Sequence, residues 1–407
     1  MDFICESRKT PILGRYDVIV VGGGPAGAVA AISAARHGAK TLLIERFNCL
    51  GGMWTVGFMN PLFDSEGKGG ILREIIDMLK ARGAWGGFRN ISFRYEEMKV
   101  LLDELCRDTG VHLLLSTDYS DVVREGNRVC GVIVENVGGR AAYTAGCIID
   151  ASGDARVAAD AGAEILVGDE AGRTQAMTLM FLVGGVPDSL SEGEMLYKRV
   201  APYYAKEGIE MPFTFPYLIP APGVHYAVIQ YTHMHGVHPL SAEERSLACV
   251  EGRRQMMEMM RLLHENDPEL RHLELIGSAP VLGVRESRRI VGEYTLCAED
   301  LFAGRKFADG FTSSRFNIDI HSPDTNGQKC RPVGVYEIPY RCLIPKGVEG
   351  LLVAGRTISG THEAMASYRV TGTCAAMGEA AGTAAAYVAA HACGVRDVDI
   401  RRIQPFI

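Results

Sequence analysis

Three places in this chain of 407 residues put histidine where a proton can be moved. Asp319, Ile320 and His321 form the first. On a strand, residues i and i+2 share a face, so Asp319 can orient the His321 ring as a general base or acid near neutral pH. The bland alternative is a surface turn, since Ser322-Pro323-Asp324 follows. His362 is the second, in the polar stretch from Thr357 to Arg369. His233-Met234-His235-Gly236-Val237-His238 is the third. An H-x-H pair on a strand has metal-binding spacing, but no nearby acid or cysteine completes a ligand set. A substrate-pocket histidine is the better reading, and no metal is expected.

Arginines accompany the histidines. Arg285-Glu286-Ser287-Arg288-Arg289 follows directly on the apolar Val281-Leu282-Gly283-Val284. Arg285, with Arg288 or Arg289, suits a bidentate carboxylate clamp. Glu286 suits a structural ion pair with one of the others. A solvated charge run is the alternative. Tyr340-Arg341, on a strand predicted over residues 336–344, is a lesser candidate of the same kind.

A ligand site opens the chain. Tyr16-Asp17-Val18-Ile19-Val20-Val21 is the β-branched run of a strand buried in a parallel sheet. Gly22-Gly23-Gly24-Pro25-Ala26-Gly27 follows at once. Residues 28–37 are small and helix-forming, and residues 40–45 make a second strand ending in Glu45. Gly22, Gly24 and Gly27 fill G-x-G-x-x-G: the first allows a tight turn, the second a close pyrophosphate, the third a helix lying against the sheet. The helix start, with Pro25 and Ala26, offers free N–H groups and a positive dipole end to phosphate. Glu45 stands where a carboxylate accepts from ribose hydroxyls, which disfavours a 2′-phosphate. A bare glycine turn is the alternative, but strand, helix and acid all fall in place. Position alone does not separate NAD from FAD, but beyond Arg46 a second glycine pair, Gly51-Gly52, and Met53 suit a backbone running along a longer cofactor.

The elements that position these groups are legible in outline. Amphipathic helices are predicted within residues 67–86 and over residues 92–109. A strand over residues 111–115 and a β-meander over residues 121–145 follow, then a strand ending in Asp150-Ala151-Ser152-Gly153-Asp154. Asp154 and Arg156 read as a helix cap and a solvated charge. Strands are predicted over residues 177–183 and 224–231. Ser241-Ala242-Glu243-Glu244 is a capping box that starts a helix through Leu263. The pattern predicts an α/β fold: a Rossmann-like domain, a doubly wound parallel sheet plus β-meander, holding a dinucleotide. Residues 1–167 form its first part, residues 168–276 an inserted α+β substrate domain, and residues 277–407 its completion. No second G-x-G-x-x-G occurs, so electrons are expected from the organic substrate, or from a protein or quinone partner, rather than from a nicotinamide.

Composition narrows the classes. Lys+Arg total 42 against Asp+Glu 49, a net charge of −7, which disfavours general nucleic-acid binding. Hydrophobic residues at 47% with 22% charged describe a globular chain rather than a disordered one. No apolar run is long enough to span a bilayer, and the first residues show no signal-peptide pattern, so a cytoplasmic location is expected. The 11 cysteines include no C-x-x-C and read as reduced thiols.

Together GGGPAG, LLIER…LGG, IIDASGD, GVRESRRIVGEY, DIHSPD, YEIPYRCLIP and LLVAGRTISGTHEAMASYRVTGTCAAMGEAAGTAA resemble the FAD-dependent oxidoreductases distantly related to the fumarate reductase and succinate dehydrogenase flavoproteins. The resemblance covers nearly the whole chain. It implies FAD along the glycine turn, with Ala151 and Gly153 closing over the adenine-ribose half. It also implies Gly355, Arg356 and Gly372 at the flavin, where the dipole of the helix from Thr371 stabilises the reduced ring. Fumarate reductase relatives carry a His and an Arg near this C-terminal motif that contact an anionic substrate. His362 and Arg369 stand in the corresponding stretch at a different spacing. Met53-Trp54-Thr55-Val56-Gly57 replaces the segment that bears a covalent histidyl flavin in succinate dehydrogenases. Noncovalent FAD is implied, with Cys49 the covalent alternative.

The expected activity is therefore hydride transfer between a small organic substrate and flavin N5. His321 or His362 would act as acid or base, and Arg285 or Arg369 would bind polar groups. Two alternatives stand beside it. One is a monooxygenase or halogenase, against which Ala354-Gly355-Arg356 replaces the usual G-D turn. The other is an FAD-dependent tRNA-modifying protein, against which the acidic charge weighs.

Overall fold

The computed structural model describes residue 4 and residues 6–403; part of the N-terminal segment, Cys5 included, lies outside the described residues. Val18 to Val21 are buried on both faces, as a central parallel strand requires. The strand Ile12–Val21 pairs in parallel with Thr41–Ile44 on one side and with Gly139–Asp150 on the other. His112–Leu114 extends the sheet beyond Thr41–Ile44. Leu351–Val353 lies parallel against the C-terminal part of Gly139–Asp150. The N-terminal part of that long strand instead pairs antiparallel with Arg128–Asn136, which pairs with Asp118–Glu125. This is a Rossmann-like FAD-binding fold, with the meander grafted onto one parallel strand. Val21, Ile44, Asp150 and Val353 are in register, so these strands end along one edge and open a crevice there.

Two helices cover the sheet and touch each other. Pro25–Arg36 packs against Thr371–His391, and both are almost wholly small residues. A Cβ on Gly378 would sit 2.0 Å from the Ala26 carbonyl oxygen, and one on Gly382 would sit 2.2 Å from that of Ala30. The helices thus meet backbone to backbone, which holds the N-termini of both helices near the crevice.

A second sheet, antiparallel, forms the inserted α+β domain. Its order is Glu194–Met195, Tyr217–Pro220, Tyr226–Gln230, Phe181–Gly184, Glu274–Ser278. Strand alternation divides its faces. Phe181, Val183, Leu218 and Ile229 join Met259 and Leu263 of the helix Ala242–Asn266 in a separate core. Leu182, Ile219 and Val228 turn the other way, towards the main core. Ser241 caps that long helix, its hydroxyl accepting the Glu244 N–H.

Several local expectations are corrected. The strand expected from residue 177 is regular only from Phe181, because Met177 makes a lone bridge to Met234. The strand expected over residues 336–344 is Tyr336–Pro339. Pro339, with no N–H to continue a ladder, hands over to a 3₁₀ turn at Tyr340–Leu343. The helix expected from Ser92 begins at Tyr95, since Ser92–Phe93 pairs with Trp85–Gly86. Asp154 caps nothing. The short helix Arg156–Asp160 starts after Ala155, and the Asp154 carboxylate pairs instead with Arg356 at 3.0 Å and Arg245 at 3.6 Å.

Candidate active site

An open cleft of about 850 Å³ runs along the strand ends. Gly22, Gly24, Pro25 and Ala26 line its floor, and Glu45 and Arg46 one end. Gly52, Met53, Ala151 and Gly153 continue the wall, and Gly355 and Arg356 reach it from the C-terminal segment. Gly24 precedes the helix Pro25–Arg36 with no side chain capping it, so its first N–H groups face the cleft. A Cβ on Gly24 would meet nothing within 4 Å, so open space, not a protein neighbour, lies over this glycine. The buried Glu45 carboxylate accepts from the Gly23 N–H at 2.5 Å and the Phe47 N–H at 2.9 Å. Burial raises its pKa. The helix Thr371–His391 also starts here without a side-chain cap, and Thr371 Oγ1 is buried without a partner. Phosphate-seeking N–H groups, a ribose-seeking carboxylate and an orphaned hydroxyl in one elongated cleft fit FAD.

Three glycines stand behind this wall rather than on it. Gly27 abuts the Gly22 carbonyl, Gly51 the Thr55 side chain, and Gly372 the carbonyls of Phe63 and Asp64. Their smallness shapes the turn and the helix starts; they line neither cavity.

A second cavity, about 1400 Å³, shares Met53, Val284, Arg356, Arg369 and Thr371 with the first. Ile219 and Gln230 reach it from the inner face of the second sheet, and Phe63, Phe213 and Phe316 give it an apolar body. Its polar end gathers Arg285, Asp319, His321 and Arg369. Asp319 and His321 share a face of the strand Ile318–His321, and His321 Nε2 lies 3.4 Å from Asp319 Oδ2. His321 is buried, not on a surface turn. Burial and the Arg285 charge push its pKa down to about 3, against the opposing pull of Asp319. Asp319 accepts from Gln328 at 2.7 Å, and His321 and the arginines hold it at about 2. Arg369 donates to the Asp319 carbonyl at 2.9 Å, and its Nε is buried without a partner. Arg285 donates to the Ala176 carbonyl at 2.6 Å, and burial lowers its pKa to about 9.

Other candidates have structural work. His362 lines neither cavity: it starts the helix His362–Tyr368, and its Nδ1 lies 2.8 Å from Glu286 Oε1. Arg289 also holds Glu286, and both are buried, so the cluster divides into an internal ion pair and the cavity-facing Arg285. Arg288 donates to the Asp154 carbonyl. Arg341 pairs with Asp309, away from both cavities. Arg356 separates the cavities, but its donors go to the Gly153 and Val284 carbonyls and to Asp154.

The family model described as FAD dependent oxidoreductase matches residues 17–407. The chain belongs to that family. Among curated proteins, thiamine thiazole synthase of Aeropyrum pernix is 38% identical over 122 residues, 30% of this chain and 44% of that protein. The chain therefore spans less than half the length of that curated relative. A geranylgeranyl bacteriochlorophyll reductase-like structure from Thermoplasma acidophilum aligns at TM-score 0.50 and 17% identity, covering 97% of this chain and 82% of the other. The flavin-dependent brominase Bmp2 aligns at 0.51 and 15%, covering 96% and 81%. The p-nitrophenol 4-monooxygenase of Pseudomonas putida DLL-E4 aligns at 0.51 and 11%, covering 97% and 83%. At these identities the likeness is one of fold.

This FAD dependent oxidoreductase also lines the first cleft with residues that sequence reasoning missed. Phe47, whose ring lies 4.6 Å from the Arg46 guanidinium, is one. Arg245 is another: it reaches the cleft from the long helix of the inserted domain, beside Asp154. Its neighbours in sequence are polar surface residues, so only the fold reveals it. Arg245→Ala is expected to weaken FAD retention about fivefold, the ~1 kcal/mol of one partly exposed ionic contact, as read by flavin titration of the apoprotein.

Proposed function

We propose that this flavoprotein oxidises or reduces a small organic anion with an apolar body, by hydride exchange with noncovalent FAD. The observation that carries the reading is the shared wall between the cavities, where Arg369 borders both the cofactor cleft and the Arg285–His321–Asp319 end of the second cavity. When bound, FAD supplies a two-electron acceptor or donor at flavin N5. Arg285 and Arg369 bind and orient the anionic group, their charges offset on the protein side by Asp319 and, for Arg369, by the more distant Glu286. The phenylalanines hold the apolar body and exclude water. His321 Nε2 takes the proton of a substrate O–H or N–H as the adjacent C–H is oxidised, and returns it in the reverse direction. Asp319 stabilises the imidazolium so formed.

Two thiols bear on noncovalent attachment. Cys49 lines neither cavity, and burial raises its pKa. Cys374 lines the cofactor cleft, but its thiol donates to the Arg369 carbonyl and burial raises it to about 12. Neither is a ready nucleophile. A distant kinship with the fumarate reductase flavoproteins stays part of this proposal on the C-terminal motif alone.

The decisive experiment mixes the holo-protein anaerobically with carboxylate-bearing alcohols and amines, without nicotinamide. Bleaching of the oxidised flavin band supports the proposal. A second reading, oxygenation or halogenation, is supported by the aromatic lining and by the monooxygenase and brominase that share the fold. On that reading bleaching needs an external reductant, and substrate then drives oxygen consumption.

The pH profile gives a further check. His321 must be neutral to accept a proton, and its pKa lies below the ordinary imidazole value. Activity that needs it persists as pH falls through 6.5 and is lost only at lower pH. kcat/KM is expected to show no break near pH 6.5 in the native protein. Arg285→Gln removes the like charge and is expected to move the acid limb upward. A native break at the ordinary imidazole value contradicts the assignment.

A further inference from the structure

His233 belongs to the H-x-H segment, yet it neither lines a cavity nor meets a metal-ligand set among the described residues. It is buried, stacked face to face on Phe213 with ring centroids 4.0 Å apart. Its Nε2 lies 2.9 Å from His321 Nδ1. Its Nδ1 lies 2.8 Å from the Thr232 carbonyl oxygen and 3.5 Å from the Thr178 hydroxyl.

Satisfying the two shortest contacts, 2.8 Å to Thr232 and 2.9 Å between the rings, at the expense of the longer 3.4 Å approach of His321 to Asp319, fixes the protons. A carbonyl oxygen only accepts, so His233 Nδ1 carries a hydrogen and donates it to Thr232. His233 is neutral, because it is buried, has no carboxylate partner and lies near the Arg285 charge. Its Nε2 is therefore bare and accepts. The hydrogen between the two rings thus belongs to His321 Nδ1. A neutral His321 has only that one hydrogen, so its Nε2 is bare. That bare nitrogen lies 3.4 Å from Asp319 Oδ2, at the polar end of the second cavity.

We infer that His233 is a positioning residue that fixes the tautomer of His321, so that Nε2 meets the substrate as a proton acceptor. Without it the opposite tautomer is favoured, since a carboxylate oxygen beside Nε2 attracts a hydrogen there. His321 Nε2–H would then donate to Asp319 and have no lone pair for substrate. His233 thus keeps the one basic lone pair of the ring at Nε2 for the proton that substrate gives up. Around this relay lie Arg285 and Arg369 as cations, Asp319 as the anion, and His235, whose ring nitrogens face the Ser322 and Pro212 carbonyls. The catalytic consequence rests on the proposed role of His321; the tautomer itself does not.

The test is the two-bond ¹⁵N–¹H spectrum of the holo-protein labelled with ¹⁵N-histidine, with His321 assigned by its loss in His321→Gln. The native protein is expected to show His321 protonated at Nδ1 and bare at Nε2. In His233→Phe, which keeps the stack on Phe213 but removes the acceptor, His321 is expected to shift to the Nε2–H form. kcat should fall more than tenfold. In His233→Gln, whose side-chain carbonyl can accept, the Nδ1–H form and most of kcat are expected to return. A native His321 protonated at Nε2, or a Phe variant with an unchanged tautomer, overturns the inference. If His233→Phe does not fold, the native spectrum alone still decides. Full activity in His321→Gln with the native tautomer as expected would refute the catalytic role and leave the positioning intact.

Discussion

His321→Gln is expected to slow substrate-driven flavin reduction by roughly 10² to 10⁴, the usual worth of a positioned general base. Stopped-flow bleaching under anaerobic conditions reads that step without contribution from reoxidation. Gln is close to His in size and can still take the Nδ1 hydrogen-bonding role, so packing against Phe213 and His233 changes little. What disappears is a nitrogen able to hold a proton. Binding should survive, because Arg285 and Arg369 are untouched; the loss is expected in kcat, with KM moving by a small factor. Arg369→Ala should show the opposite weighting, mostly in KM. Equal reduction rates for His321→Gln and the native protein would remove His321 from the chemistry.

The second large effect is expected at Gly27. A Cβ there would sit 1.7 Å from the Gly22 carbonyl oxygen. The clash is backbone against side chain at the crossing of strand and helix, where no rotamer can relieve it. Gly27→Ala must push the helix Pro25–Arg36 off the sheet, at a cost on the order of 3 kcal/mol or more. That helix is also gripped by Thr371–His391 along their glycine contacts, so it cannot yield alone. The variant is expected to purify without flavin and to unfold at a markedly lower temperature, measured by visible absorbance and thermal scanning. Native flavin content would show that the strand–helix crossing tolerates a methyl group.

How much of this was legible depends on how local the signal is. The glycine turn, its strand and Glu45 occupy one contiguous stretch, and each does its work through its own backbone or its nearest strand neighbour. Asp319 and His321 were legible as a pair because strand geometry makes i and i+2 neighbours whatever the rest of the chain does. The division of the arginine cluster was legible for a similar reason: Glu286 and Arg289 lie within one another's reach, which leaves Arg285 to face elsewhere. His362 was misread because nearness in sequence to a flavin motif says nothing of where a side chain turns, and Glu286 captures it. The His233–His321 contact joins residues 88 positions apart, and no local pattern reports it. Arg245 likewise depends on how the inserted domain docks. Asp154 was misread as a cap because capping is the local use of such a residue, whereas two distant arginines compete for it here.

The residues that wall the cleft run from Gly22 through Ala151–Asp154, Arg245 and Val284 to Cys374. Its last contributors thus come more than three hundred residues after its first. During synthesis the glycine turn leaves the ribosome early, but the half of the cleft that faces it does not exist until the final helix has begun to emerge. Flavin loading is accordingly expected to follow translation rather than accompany it. A stop before residue 354 leaves a chain with the dinucleotide fingerprint but without the Ala354, Gly355, Arg356, Arg369, Thr371 and Cys374 part of the wall.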